Sequence, residues 1–520
     1  MKSFLIKENK LNFFLLILIV IYSFCINFYY ANIGTFPIDT FLHFDSSYRI
    51  LNKEYPVKDY WIVSGFIVDF IQSIFFKLFG ANWNSYILHS SLFNIIISIF
   101  TYNFFLNLKI GKLTSFVYTL CFATLAYTIS GTPFVDHHAT FFLLIGTYVI
   151  IYAFEKKNRL YFWPLIVFLF TLSFLSKQVP AVYAIFLQGF LILFLVFKEK
   201  RYKMITVILA SVISIIIIIV TFLLFLGIDL KLFYIQYLDY PRSIGSERFL
   251  SLNKSFESLF NQYKYLIIPI IITFILKIKR GSLSFKNDYK FYLFLLLGLS
   301  LVYHQILTKN QIYIYFLVPI FFSFLHSELL YGSFKLKKLF SIVTVICLVL
   351  ITIKYHIRYN ENRKFHELNS DLIIQSISAN NIDKKFKELR WINPISKLSP
   401  SNEIKIIKEA KEILINDKKK LMLISHYSFF EIITSKKMNY PNRTHTDDGV
   451  SFPTQNKKYN KTYKSFFLDI IKSKSIKNIY FFKHEKISQN IVKNNIKIEC
   501  LEFEENKIFD IYKIKENCLN

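Results

Sequence analysis

The run LNFFLLILIVIYSFCINFYY, residues 11–30, decides the fold class because it contains no charged residue and is long enough to cross a bilayer as one helix. Lys2, Lys7 and Lys10 precede it. A basic start before an apolar run also occurs in signal peptides, but this run is long and lacks a small-residue cleavage site. We therefore interpret it as the first membrane span.

Apolar runs of spanning length recur over the first two thirds of the 520 residues, of which 53% are hydrophobic and 18% aromatic. They lie near 86–108, 113–131, 139–154, 160–175, 179–197, 204–226, 263–277, 291–307, 311–330 and 339–354. The chain is too apolar for a soluble protein of this length, and its apolar runs are spread too evenly for a single membrane anchor. The sequence predicts an α-helical polytopic membrane protein with about eleven transmembrane helices.

Charge alternates between the connections of these spans. Cationic clusters occupy every second one: Lys109 and Lys112; Lys156, Lys157 and Arg159; Lys198, Lys200, Arg201 and Lys203; Lys277, Lys279 and Arg280; Lys335, Lys337 and Lys338. The positive-inside rule places these connections and the N-terminus in the cytoplasm, so an odd number of spans leaves the tail outside. We expect a multi-pass protein of the bacterial inner (plasma) membrane. The formal net charge of +28 does not by itself indicate an anionic partner, because an AT-rich coding bias would also produce many Lys, Ile, Phe, Asn and Tyr residues.

The first connection, residues 31–85, lies on the outer side in this topology. Its second half, WIVSGFIVDFIQSIFFKLF at 61–79, is apolar but contains Asp69, Gln72 and Lys77. Such a segment suits a helix lying on the outer leaflet better than a membrane crossing.

The tail has shorter apolar runs. Strand-length runs lie at 421–425, 478–482, 496–503 and 508–514, and helix-like stretches at 402–416, 464–474 and 485–493. We expect a multi-span transmembrane catalytic domain at 1–354 and a small extracytoplasmic α/β domain at 355–520. Cys500 and Cys518 lie in the exported part, where an oxidising compartment permits a disulfide without requiring one.

Three segments carry a family resemblance: FDSSYRILNKEYPVKDYW at 44–61, TPFVDHHATFF at 132–142 and LSFLSKQVPAVY at 172–183. Their order and sidedness resemble the GT-C glycosyltransferases that use polyprenyl-phosphate sugars, in the branch of protein mannosyltransferases and aminoarabinose and RgtA/B/C/D-like transferases. The resemblance is strongest over 36–198. It implies a lipid-linked sugar donor and a first-loop acid in catalysis. Ser46 follows Asp45 where many members have a second acid.

The first loop also has the residues that such a transfer needs. A base must take the proton of the acceptor hydroxyl, and cations must hold the departing phosphate. Asp45 and Arg49 are four residues apart, on one face of a helix, with Lys53 a further turn on. Asp39 and Asp59 compete for the role of base, although each also suits a turn or helix cap. The alternative is a solvated loop with weak surface ion pairs.

Other candidates lie at the outer ends of later spans. Asp136 and His137 would hydrogen-bond the sugar or support Asp45, or Asp136 would only cap a helix. Lys177 ends a span on the outer side, where it would contact a lipid phosphate or extend to headgroups. Tyr240 and Arg242 would form a second wall for donor or acceptor.

These residues predict a membrane glycosyltransferase that moves a sugar, with inversion, from a polyprenyl-phosphate donor to an extracytoplasmic glycan, lipid or protein. The alternatives are a polymerase or ligase of lipid-linked glycans, and a flippase or transporter of a lipid-linked sugar. No internal repeat supports a transporter. No nucleotide-binding motif occurs, and we expect no nucleic-acid partner and no cofactor; His and Cys spacing does not support a divalent metal.

Overall fold

The structure is a computed structural model that describes residues 2–127, 131–156, 159–250, 256–281, 283–308, 314–332, 335–362, 368 and 370–518. Lys157 and the parts of two predicted spans at 128–130 and 311–313 lie outside these described residues. The chain separates into two units. The membrane unit comprises 1–31, 87–217 and 251–369, and the loop–tail unit comprises 32–86, 218–250 and 370–520.

Long helices account for the membrane unit. Their bounds, including two helices that continue into the other unit, are Lys2–Ala31, Trp83–Asn107, Lys112–Ala126, Val135–Glu155, Phe162–Ser176, Gln178–Lys198, Tyr202–Phe225, Phe256–Lys279, Tyr289–Thr308, Leu317–Tyr331 and Lys337–His356, the last followed by a π-helical turn at Ile357–Glu361. Each predicted apolar span coincides with one of them. Even the Ile-rich run of Tyr202–Phe225 is helical, because a backbone in lipid must satisfy its polar groups internally.

Length and composition qualify eight helices of the described chain to cross a membrane, while Lys112–Ala126, Phe162–Ser176 and Leu317–Tyr331 are apolar but shorter. The chain is therefore a multi-pass membrane protein, and the number of eleven crossings stays a prediction. Val135–Glu155 is an interior helix of its unit. Of its most apolar 18-residue stretch 94% is buried, against 6% for that of Tyr202–Phe225.

A glycine permits close packing between two helices of the membrane unit. A Cβ at Gly146, in Val135–Glu155, would lie 2.6 Å from the ring of Phe170, in Phe162–Ser176. Small residues at such positions let membrane helices approach closely. Any larger side chain at Gly146 would require the ring of Phe170 to move.

The loop–tail unit is built from short elements. Its α-helices are Pro37–Thr40, Leu42–Leu51, Phe66–Phe79, Leu230–Tyr234, Tyr240–Leu250, Ser370–Ile374, Pro400–Asn416, Phe430–Thr434, Asn460–Lys474 and Asn490–Lys493, with a π-helical turn at Ile235–Asp239 and 3₁₀ turns at Ala379–Asn381, Lys384–Phe386, Ile498–Cys500 and Glu516–Cys518. Its strands are β1 (Ile377–Ser378), β2 (Arg390–Trp391), β3 (Leu421–Ile424), β4 (Asn478–Phe482), β5 (Leu501–Glu505) and β6 (Phe509–Ile514).

The four longer strands form one mixed sheet in the order β3-β4-β6-β5. The pair β3 and β4 is parallel, in register Leu421 with Asn478, and both strands are buried along their whole length. The pairs of β6 with β4 and with β5 are antiparallel. This confirms the small α/β region predicted for the tail. Its last predicted helix, 485–493, is reduced to Asn490–Lys493, and Cys500 and Cys518 form a disulfide.

The predicted interfacial helix begins later than expected, at Phe66. Trp61 is extended instead, because its N–H donates to Pro441 O at 2.9 Å and its carbonyl accepts from Arg443 N at 3.1 Å. Gly65, in the left-handed region at φ 76°, then starts the helix, and Gly80 ends it. The placement of this helix on the outer leaflet, and the domain boundary at 354, stay predictions.

Candidate active site

The helix Leu42–Leu51, here called the first-loop helix, places Asp45 and Arg49 on one face, as their spacing predicts. Arg49 Nη1 lies 4.0 Å from Asp45 Oδ2. Asp45 is 3% exposed and Arg49 0% exposed. The pair is therefore a buried element of the loop–tail unit rather than a solvated surface pair.

The guanidinium of Arg49 is held by protein groups on every side. Nε donates to Glu54 Oε2 at 2.9 Å, Nη1 to Tyr440 O at 3.0 Å and Nη2 to Asp59 O at 3.4 Å. Its carbon lies 4.0 Å from the ring centroid of Tyr60. This geometry favours a role for Arg49 in joining the loop to the tail and in setting the charge near Asp45.

Glu54 neutralises Arg49 and also two lysines of the tail. Its Oε1 lies 3.0 Å from Lys437 Nζ and 3.2 Å from Lys474 Nζ. Burial raises the pKa of the Glu54 carboxyl, but Arg49, Lys474 and Lys437 outweigh burial and lower it to about 2. Glu54 is thus a fixed negative charge.

Asp45 is in the opposite situation. Burial raises its pKa well above the usual range, Arg49 opposes this, and Glu431 and Glu54 add to it. Its Oδ1 is buried and has no hydrogen-bond partner among the residues that the structure describes. A carboxyl with a raised pKa and an open oxygen is suited to accept a proton from a bound hydroxyl group.

A second buried group joins the helix Phe66–Phe79 to the tail. Asp69 Oδ1 lies 2.6 Å from His43 Nδ1, and its Oδ2 accepts from Arg443, which also donates to Ser64 O. Burial lowers the pKa of His43, although Asp69 opposes this. Asp69 is therefore a structural partner for both the first-loop helix and the tail.

The other first-loop candidates have more local positions. Asp59 Oδ2 accepts from Tyr55 N at 2.8 Å and closes a turn. Asp39 is half-buried in the first turn of Pro37–Thr40. Lys53 is exposed, with φ 61°, just beyond the first-loop helix.

In the membrane unit the structure brings together Asp136, Lys177 and His304. Lys177 Nζ donates to both carboxylate oxygens of Asp136, at 2.8 and 2.7 Å, and His304 Nε2 lies 2.6 Å from Oδ1. His137 instead stacks on Tyr127 with ring centroids 4.4 Å apart. Lys177 keeps 23% of its side chain exposed, so its contact to a lipid phosphate stays a proposal.

Tyr240 and Arg242 lie in different environments. Tyr240 is 0% exposed, donates to Gly449 O and packs against Trp61 and Tyr463 in the core of the loop–tail unit. Arg242 is exposed on the helix Tyr240–Leu250. A wall formed by both side chains receives no support from this placement.

Sequence reasoning missed Glu431 and Tyr440, which adjoin Asp45 and Arg49, and Arg443, which contacts Asp69. The polar segment 440–453 is visible in the sequence, but only as a long loop bounded by proline. Among the described residues, no group of three His, Cys, Asp or Glu side chains has the arrangement of a metal site.

Residues 64–225 match the family model described as dolichyl-phosphate-mannose-protein mannosyltransferase. This part of the chain is therefore similar to that mannosyltransferase family. The matched part includes Asp69, Asp136 and Lys177, and it begins downstream of Asp45. The match does not identify the sugar or the acceptor of this chain.

Among solved structures, the chain is similar to an oligosaccharyltransferase of Archaeoglobus fulgidus, crystallised as a complex with zinc and sulfate. The match has 11% identity and a TM-score of 0.41, and it covers 90% of this chain and 68% of that one. No curated protein sequence matches the chain.

Proposed function

We propose that this protein is a membrane glycosyltransferase that moves a sugar, with inversion, from a polyprenyl-phosphate donor to an extracytoplasmic glycan, lipid or protein acceptor. The donor class is supported by the description of the matched family, which names a lipid-phosphate sugar, dolichyl-phosphate-mannose. The three resembling segments of the sequence support the same class.

The observation that carries the proposal is the buried Asp45, whose Oδ1 is open among the described residues while Arg49 lies 4.0 Å from Oδ2. In the reaction, the acceptor oxygen forms a bond to the anomeric carbon as the bond from that carbon to the donor phosphate breaks. Asp45 takes the proton of the acceptor hydroxyl, and the electron pair leaves with polyprenyl phosphate. A single displacement of this kind inverts the anomeric centre.

Arg49 supports Asp45 in this proposal by electrostatics. Burial raises the pKa of Asp45, and the nearby guanidinium of Arg49 lowers it. The guanidinium therefore favours the ionised form of Asp45 in a site that water does not reach. Separately, Lys177 is proposed to contact a lipid phosphate.

The proposed topology places this chemistry outside the cytoplasm. Ile74, Leu78 and Phe79 are exposed apolar side chains on the helix Phe66–Phe79. An exposed apolar surface of this kind fits a helix that rests on the outer leaflet. The lipid tail of a donor would then stay in the bilayer while a polar acceptor arrives from outside.

The test is an assay of purified protein with a panel of polyprenyl-phosphate sugars, reading released polyprenyl phosphate. Asp45→Asn keeps the shape of the side chain and removes the base, so turnover falls by roughly 10²–10⁴-fold. Asp39→Asn is the matched control, and its turnover stays within a few-fold of the parent. Undiminished turnover in a folded Asp45→Asn protein would eliminate Asp45 as the base, and parent protein inactive with every donor would refute the donor class.

A further inference from the structure

Five side chains near the Arg49 position carry buried polar atoms that have no hydrogen-bond partner among the described residues. These atoms are Asp45 Oδ1, Glu431 Oε1, Tyr440 OH, His426 Nδ1, and both ring nitrogens of His445. Glu431 is 2%, Tyr440 1% and His445 2% exposed. We call these five residues the open polar cluster.

Such a cluster is costly for a fold. A buried donor or acceptor without a partner loses its hydration and gains nothing in return, so native proteins contain few of them. Several such atoms in one place indicate side chains whose hydrogen-bond partners come from a bound ligand. This distinguishes them from Tyr463, which is equally buried but exchanges hydrogen bonds with Asn442 at 2.8 and 2.9 Å.

Arg49 contacts two members of the cluster, Tyr440 and Asp45. Arg49 Nη1 is 3.0 Å from Tyr440 O and 4.0 Å from Asp45 Oδ2. The second oxygen of Glu431 accepts from Met438 N, two residues before Tyr440, at 3.1 Å.

Electrostatics agrees with these contacts. After burial, Asp45 and Glu431 are the next causes that raise the pKa of the Tyr440 hydroxyl. The rings of His426 and His445 have centroids 6.2 Å apart, and after burial the charges of His426 and Arg49 are what lower the pKa of His445.

The cluster is suited to a neutral ligand. Beside Asp45, burial raises the pKa of Glu431 and lowers those of His445 and of His426, the latter to about 4, so it favours the uncharged form of these three groups. Arg49, the adjacent cation, already donates to Glu54 and two carbonyls. Uncharged donors and acceptors match hydroxyl groups better than phosphate.

We infer that the open polar cluster is the sugar subsite of the transfer, in which hydroxyl groups of a sugar ring bind Tyr440, His445 and Glu431 beside Asp45. This rests on the proposed function and adds to it, because it assigns recognition of the sugar to segment 426–445 of the tail. The same hydroxyl chemistry is present in a donor sugar and in a glycan acceptor. Hydrogen bonds from those hydroxyls to Asp45 would also favour its ionised form.

Tyr440→Phe tests the inference, because it removes the hydroxyl and leaves the ring. Since that hydroxyl has no partner to lose, we expect the melting temperature to stay level or rise. We expect KM for the sugar substrate to increase roughly 3–10-fold, as for one lost hydrogen bond. A rise in KM for the donor identifies the donor sugar as the ligand, and a rise for the acceptor identifies the acceptor glycan. His445→Phe should act in the same direction.

Tyr463→Phe is the matched control with the opposite signature: a lower melting temperature and an unchanged KM. A binding measurement that does not depend on turnover compares the thermal stabilisation by polyprenyl-phosphate sugars with that by polyprenyl phosphate alone. In the parent protein we expect the sugar-bearing lipid to raise the melting temperature more than polyprenyl phosphate does. In Tyr440→Phe we expect this extra stabilisation to be lost.

The subsite would be overturned if Tyr440→Phe and His445→Phe both kept the parent KM and the extra stabilisation by the sugar. If Asp45→Asn were inactive in the same experiments, the proposed function would still stand. If Asp45→Asn also retained full activity, the proposed function would fail at this site as well.

Discussion

Glu54→Gln should destabilise the loop–tail unit far more than its conservative size suggests. Glu54 is 4% exposed and is the negative partner of Arg49, Lys437 and Lys474. Glutamine keeps the shape and leaves the fully buried Arg49 without its counter-charge. Removing one partner of a buried pair costs about 3–5 kcal/mol.

The pKa of Glu54 gives a similar magnitude. A fall from 4.5 to about 2 corresponds to roughly 3 kcal/mol at about 1.36 kcal/mol per pH unit. One kcal/mol shifts the melting temperature of a domain of 150–250 residues by about 2–4 °C, so we expect a decrease of roughly 6–12 °C. Because the folded-state pKa is lowered, this stabilisation is complete above pH 4.5 and is lost as pH falls toward 2.

Thermal unfolding followed by intrinsic fluorescence measures the effect in detergent-purified protein. Glu516→Gln is the control, since Glu516 pairs with Lys477 at 3.1 Å but its side chain is 90% exposed. An exposed pair contributes at most about 1 kcal/mol. Equal melting temperatures for the two variants, or an acid-induced loss of stability that is the same with and without the Glu54 carboxyl, would refute the reasoning.

Three further outcomes are expected. The acid limb of kcat/KM should have its midpoint well above the ordinary Asp value of 3.8, because burial raises the pKa of Asp45 and the base must be ionised; a profile flat down to pH 4.5 would contradict this. Asp136→Asn and Lys177→Met should each lower the melting temperature, and their double-mutant cycle should give a coupling of about 1–3 kcal/mol, with additive effects as the contrary result. Reporter fusions at Lys200 should be cytoplasmic and at Lys420 external, and an external signal at Lys200 would overturn the topology.

The helices were predictable because a bilayer imposes a local rule. Each crossing needs about 20 apolar residues and an internally bonded backbone, whatever its neighbours are. The strands β3 and β4 were predictable for a related reason, because a strand buried on both faces is a short continuous apolar run. The start of the helix at Phe66 was not, since the backbone of Trp61 is bonded to Pro441 and Arg443, hundreds of residues away.

The candidate site divides in the same way. The shared face of Asp45 and Arg49 follows from helical periodicity, and the turn at Asp59 follows from ordinary Asp preferences. The partners Tyr440 and Glu431 lie on a loop and a five-residue helix of the tail, where no period relates them to the first loop. Their burial, and the missing hydrogen bonds that mark them, exist only in the folded chain.

The bond from Arg49 to Tyr440 O also has a consequence for biosynthesis. The two residues are 391 positions apart, so a ribosome adding about 5–20 residues per second reaches Tyr440 roughly 20–80 s after Arg49. During that interval the nascent first-loop helix has made its pair with Glu54 but lacks the carbonyl, the two lysines and the aromatic residues of the tail that cover it. A chain that ends before Tyr440 would therefore contain all the described membrane helices but would leave the buried guanidinium of Arg49 without the Tyr440 carbonyl.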